Sequence, residues 1–281
     1  MTPDRDELLA LADRYLDALV AHDPGRLRLA PSVRFTENGQ TLALGTGLWR
    51  TVRGRLPGGQ YFADPEAGQV AFWGAVDEMG APAILALRLR AQDGLIGEVE
   101  TLVLRQGGFL FDAEGMAAPA PLLHEVLEPA DRPPRDELLR VADRYFDGLE
   151  RDDGGLIPVA DECVRNENGV QTTSNPESAA ADDAPWRAMG IAEQITAGHF
   201  RYIESIRGRR YPIVDPERGL VLGHVVFDHP GDIATADGRM PFRHPISAMI
   251  YEVFKVRAGQ IVDVRAVVAF MPYGIRSIWD G

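Results

Sequence analysis

The chain has 281 residues, 45% hydrophobic and 25% charged, the profile of a folded globular protein with room for two domains. Its formal charge of -13 has the wrong sign for a phosphate-tracking surface, so nucleic acid is not an expected partner. A single cysteine, Cys163, excludes an intramolecular disulfide framework and any Cys-rich zinc site, and no apolar run approaches the ~20 residues that span a membrane.

The N-terminus is acidic and amphipathic, without the basic and apolar regions of a secretory signal, so a soluble cytoplasmic protein is the expectation. The first predicted element is a helix: Leu8, Ala12, Tyr15, Leu16 and Leu19 share one face, and an Asp and a Gly follow as its stop. "VRFTENG" at 33–39 reads as a strand entering a tight turn, and "LRLRAQDGLIGEVETLV" at 87–103 as a hairpin with a Gly-containing turn. "LEPADRPPR" at 127–135 is polar and Pro-rich, as a linker should be. Then the chain repeats itself. Eleven of the fifteen positions of "RDELLALADRYLDAL" (5–19) recur in "RDELLRVADRYFDGL" (135–149). "CVRNENG" at 163–169 answers "VRFTENG", "VDPERGLV" at 214–221 answers "ADPEAGQV" at 63–70, and "EVFKVRAGQIVDVRAVV" at 252–268 answers the first hairpin. The offsets grow along the chain, so the second copy carries insertions, within 170–200 and 228–245. The period is too long for a solenoid. The expectation is therefore two α+β domains, 1–128 and 135–281, each a curved antiparallel sheet on a long helix.

The motifs "RFTENG", "GLW", "DPEAGQV", "ENGVQTT", "RRYPIVDPERGLVLG", "FDHPG", "FKV" and "PYG" resemble a bacterial tandem group within the NTF2-like (SnoaL-like, ketosteroid-isomerase-like) superfamily, once per copy. That resemblance implies two cone-shaped domains forming a covalent pseudo-dimer, sheet to sheet, with assembly beyond the internal pair left open. Some members of the wider grouping resemble cofactor-free lignin-diaryl γ-formaldehyde lyases. The resemblance thus implies a lyase or isomerase acting on a small hydroxylated aromatic molecule. A dehydratase, a steroid-type isomerase and a non-catalytic binding protein stand as alternatives.

The first copy is expected to be mainly structural. Four of six histidines, His199, His224, His229 and His244, lie in the second copy's sheet region, where proton transfer near neutral pH is their natural chemistry. No spacing matches a metal motif and no Gly-rich phosphate loop is present, so neither metal nor other cofactor is expected. Glu252 is a carboxylate in an apolar row, Ile246, Ala248, Ile250, Phe254, Val256, and its first-copy counterpart is Leu87. An acid so placed is either a buried acid–base group or paired with an arginine. Arg165 and Glu167 share a strand side and read equally as an ion pair or as substrate contacts, while Asn168-Gly169 reads as a type I′ turn. The candidate catalytic set is His229 or His199 as acid with Glu252 or Glu167 as base. Arg165, Tyr145, Trp186 and Tyr251 are the candidate substrate contacts. Tyr145, like Tyr15, also reads as a core residue with a satisfied hydroxyl. Thr172 and Thr173 read as strand residues, Lys255 as a strand-surface cation, and Asp228 as a weak candidate for orienting His229.

Overall fold

The computed structural model describes residues 3–107, 109–182 and 184–279. The chain forms two compact units, Met1–Ala120 with Arg276–Gly281, and Pro121–Ile275.

In the first unit, α1 (Arg5–Val20) starts where Asp4 and Glu7 cap each other: Glu7 N–H donates to Asp4 and Asp4 N–H to Glu7. Its buried stripe includes the five residues expected from the 3.6-residue period. Seven strands follow: β1 (Leu29–Glu37), β2 (Gln40–Thr41), β3 (Val52–Arg55), β4 (Gln60–Asp64), β5 (Gln69–Glu78), β6 (Ala81–Gln92) and β7 (Leu95–Arg105). They form one sheet in the order β2-β1-β7-β6-β5-β3, with β4 also on β5. Among the described residues of this sheet only the β1–β7 pairing is parallel. Short helix α2 (Ala113–Ala117) closes the unit.

The second unit begins with α3 (Pro121–His124) and repeats the plan: α4 (Arg135–Glu150), β8 (Val159–Glu167), β9 (Val170–Gln171), α5 (Pro176–Ala181), α6 (Ile191–Thr196), β10 (Ser205–Asp215), β11 (Leu220–His229), β12 (Ile246–Arg257) and β13 (Gln260–Met271). Its strand order, β10-β11-β12-β13-β8-β9, follows the first sheet, with β10 alone where the first has both β3 and β4 on β5, and its β13–β8 pairing is parallel like β1–β7. The expected mixed α+β class holds. α4 lays Leu138, Ala142, Tyr145, Phe146 and Leu149 on a core built from the inward rows of β11, β12 and β13.

The shared "ENG" is a turn device. Asn38 and Gly39 both have positive φ, as do Asn168 and Gly169, the backbone of a type I′ turn. Each Asn side chain also bridges to the neighbouring long strand: Asn38 accepts from Val103 N–H and donates to its carbonyl, and Asn168 does the same with Val268.

Lys255 corrects the sequence reading. It is fully buried, not a surface cation, and donates to the carbonyls of Glu125 and Arg218, at 3.0 and 2.6 Å. Burial pushes its ammonium down to about 8. Its first-copy counterpart Arg90 is half exposed on the same register position, where it pairs with Glu98. Among the described residues no helix is long and apolar enough to cross a membrane.

Candidate active site

The polar cluster of the second unit grows from one row of its sheet. Gly223, Glu252, Ala266 and Glu167 are successive partners across β11, β12, β13 and β8. Small residues alternate with acids, so no in-row neighbour packs over either carboxyl group. The corresponding row of the first sheet is Phe72, Leu87, Thr101 and Glu37. There, two bulky apolar side chains fill the core that the second unit gives to Gly223 and Glu252.

One row along, Arg165 pairs with Val264 where the first sheet has Phe35 opposite Val99. Its side chain is 2% exposed and each of its three nitrogens has a protein partner. Nη2 donates to Gln194 Oε1 at 2.6 Å, Nε to Thr172 Oγ1 at 3.3 Å, and Nη1 lies 3.5 Å from Tyr145 Oη. Glu167 sits 3.4 Å from Nε, and the Phe200 ring covers the guanidinium at 4.9 Å. Thr172 and Thr173 follow β9 rather than forming strand; Thr173 Oγ1 accepts from Arg165 N–H at 2.7 Å.

Tyr145 links this arginine to Glu252, to whose carboxyl group its hydroxyl donates. Burial pushes Glu252 up to about 8; Arg165 and the Tyr145 hydrogen bond oppose that rise and Glu167 adds to it. Burial also holds the Tyr145 phenol well above its usual range.

Half-buried aromatic rings adjoin the cluster. Trp186 stacks on His199 at 4.4 Å, and His199 meets Phe200 edge-on at 4.8 Å. Tyr202 follows, then His229, stacked on Phe242 at 4.7 Å, and Phe242 touches Phe270. Burial pushes both histidines down to about 4, with Arg165 and Arg239 adding to the effect at His199. Among the described residues Nδ1 of His199 is buried without a hydrogen-bond partner, whereas His229 Nδ1 lies 3.3 Å from the Tyr202 carbonyl.

The candidates therefore separate. Tyr145, Arg165, Glu167 and Glu252 form one network, and His199 with Trp186 adjoins it through Phe200. His229 pairs with Ile246, six residues along β12 from Glu252, about 20 Å of strand. Tyr251 points to the opposite sheet face, as alternation requires, and stacks on His224 at 3.5 Å. Asp228 does not orient His229: it accepts from Arg207, Ser205 and Ser247 on that opposite face. Trp49, Trp73 and Trp279 belong to the first unit. Two clefts, of about 660 Å³ beside Glu128–Pro134 and about 920 Å³ beside α1, share no lining residue with this cluster. Among the described residues no group of three or more His, Cys, Asp or Glu is placed to hold a metal.

Gln194 is the network residue that sequence reading missed. It holds three partners at once, accepting from Arg165 and donating to the carbonyls of Thr172 and Trp186. Its signal was a polar residue on the apolar face of a short helix, between Ile191 and Ile195.

A family model matches residues 2–103 and 131–268, one stretch in each repeat and most of the chain. The chain belongs to the family described as domain of unknown function DUF8021. This DUF8021 chain matches no curated protein. Solved structures similar to it include an epoxide hydrolase of M. tuberculosis described as LEH-like, 15% identical over 49% of this chain and 86% of that one, with a TM-score of 0.33. The pinacolase BvnE from Penicillium brevicompactum is 14% identical over 48% of this chain and 84% of its own, at 0.31. A designed protein with a curved β-sheet is 17% identical over 36% and 88%, also at 0.31.

Proposed function

We propose that the second unit is a cofactor-free general acid–base enzyme, a lyase or isomerase of small hydroxylated aromatic molecules, built on an NTF2-like cone, and that the first unit is its structural counterpart. The observation that carries this reading is the carboxyl group of Glu252, buried in an apolar row, hydrogen-bonded by Tyr145, at a position where the first sheet keeps leucine. A carboxyl group poised near 8 exchanges a proton readily at neutral pH, which is the requirement for general acid–base work.

In this reading the acid and base roles expected from sequence are exchanged. Glu252 is protonated at neutral pH and serves as the acid; His199, held neutral, serves as the base. Arg165 donates toward Tyr145, Tyr145 donates to Glu252, and Gln194 fixes the arginine's direction. In its finest form the reaction acts on a diaryl propanediol. Glu252 protonates the benzylic hydroxyl, and the C–O bond breaks with loss of water. His199 then takes the terminal hydroxyl proton, the O–H electrons become the C=O of formaldehyde, and the breaking C–C bond supplies the new C=C of a stilbene.

The test is a screen of the purified full chain against lignin-derived diaryl diols, with formaldehyde and stilbene absorbance measured together. Equimolar formation of both products, unchanged after dialysis against a strong chelator, is the expected result. Turnover abolished by the chelator and restored by one metal would overturn the cofactor-free reading.

A further inference from the structure

Three groups in the second unit bear on what its cluster admits. The first is Arg165, the cation at its centre. Every side-chain nitrogen of that guanidinium already has a protein partner, namely Thr172 and Glu167 at Nε, Tyr145 at Nη1 and Gln194 at Nη2, and Phe200 lies across its face. An incoming carboxylate or phosphate would compete with these partners for the guanidinium and approach the carboxyl groups of Glu167 and Glu252 in the neighbouring row. The second is Arg239, whose charge reaches His199 and Tyr202; its Nε is engaged by Asp237 at 2.7 Å. The third is His199 Nδ1, buried and unpartnered among the described residues, on a ring stacked against Trp186. A hydroxyl group both donates and accepts, so it pairs with that nitrogen in either imidazole tautomer, whereas a carboxylate pairs only with an N–H. The half-buried rings of Trp186, Tyr202, Phe242 and Phe270 offer flat apolar contact beside it.

We infer that the cluster selects an uncharged ring-bearing alcohol or phenol over an anion of the same shape, with the ligand hydroxyl seated on Nδ1 of His199, and that Arg165 is a positioning residue. This rests on reading the cluster as the acid–base site. Arg165 orients Tyr145 and Glu252 and does not receive the ligand's charge.

The test uses 2-naphthol, uncharged at pH 7, and 2-naphthoate, its anionic analogue, titrated calorimetrically into the full chain. The expected result is 2-naphthol binding at least about tenfold more tightly. His199→Phe keeps a ring against Trp186 but removes the nitrogen, and should weaken 2-naphthol about three- to tenfold while leaving naphthalene binding unchanged. Equal or tighter binding of 2-naphthoate, no binding of either probe, or unaltered 2-naphthol affinity in a folded His199→Phe variant would each overturn the inference. The wild-type ratio decides the charge question even if the variant does not fold. Turnover lost in Glu252→Gln without a preference for naphthol would sink this inference alone. A naphthol preference with normal turnover in Glu252→Gln would sink the acid–base reading instead.

Discussion

Leu87 and Glu252 occupy the same place in their sheets. Each is the partner of the residue that also faces the strand-end glutamate, Thr101 between Leu87 and Glu37, Ala266 between Glu252 and Glu167. The fold accepts leucine there, so it does not need the acid. Glu252→Gln keeps size and polarity but removes the exchangeable proton, and the expected loss in kcat is about 10²–10⁴-fold with the melting temperature preserved or raised. Leu87→Gln buries an amide in the first core and should lower the melting temperature without a comparable loss in kcat. Near-normal kcat in Glu252→Gln would move the chemistry to Arg165 and Glu167.

Stability should respond to pH in two opposed ways. Glu252 has an ordinary value of 4.5 and a folded value near 8, so the folded chain keeps a proton that the unfolded chain releases. Its contribution is complete below about 4.5 and lost as pH rises toward 8, at up to ~1.4 kcal/mol per pH unit. Melting temperatures from pH 5 to 8.5 should show wild type falling steadily behind Glu252→Gln. Parallel curves would refute the buried proton.

The histidines act in the other direction. His199 and His229, lowered from 6.5 to about 4, contribute fully above about 6.5 and lose that contribution as pH falls toward 4. His229→Asn should therefore flatten the acid side of the stability profile between those limits. An unchanged acid limb in both His229→Asn and His199→Asn would show that the rings are not held neutral by burial.

The two turn asparagines test whether the shared motif is structural in both copies. Asn38→Ala and Asn168→Ala each remove a donor and an acceptor for one strand residue and leave a β-carbon-bearing residue at positive φ. Each should cost about 1–3 kcal/mol in urea unfolding. A loss below ~0.5 kcal/mol at either site would remove the turn from the account of why the motif recurs.

Lys255→Met should leave kcat intact, because the lysine occupies the sheet face opposite Glu252. It deprives the carbonyls of Glu125 and Arg218 of their donor, which should cost about 1–3 kcal/mol of stability. A large fall in kcat without a fall in stability would place Lys255 in the chemistry.

What the sequence made legible was local and periodic. The helix faces of α1 and α4, the β6–β7 and β12–β13 hairpins, and Glu252 as an acid in an apolar row follow from spacing alone. The histidines were found by residue type, but their order along the aromatic wall depends on how the stretch between β9 and β10 folds, and that stretch has no full counterpart in the first copy. Gln194 and the Trp186–His199 stack lie inside it. Lys255 was misread because its counterpart Arg90 is exposed, and the carbonyls that bury Lys255 come from residues distant in sequence, 125 and 218.

The connection from β9 to β10 supplies Trp186, Gln194, His199 and Phe200, while the helix and sheet supply Tyr145, Arg165 and Glu252. The matching connection in the first copy is shorter, and its Trp49 simply donates to Tyr15, which occupies the place of Tyr145. A longer or shorter connection can exchange the groups above Glu252 while every strand pairing beneath it stays in register. The two copies thus share one frame of strands, and much of what is set against that frame differs through this one connection.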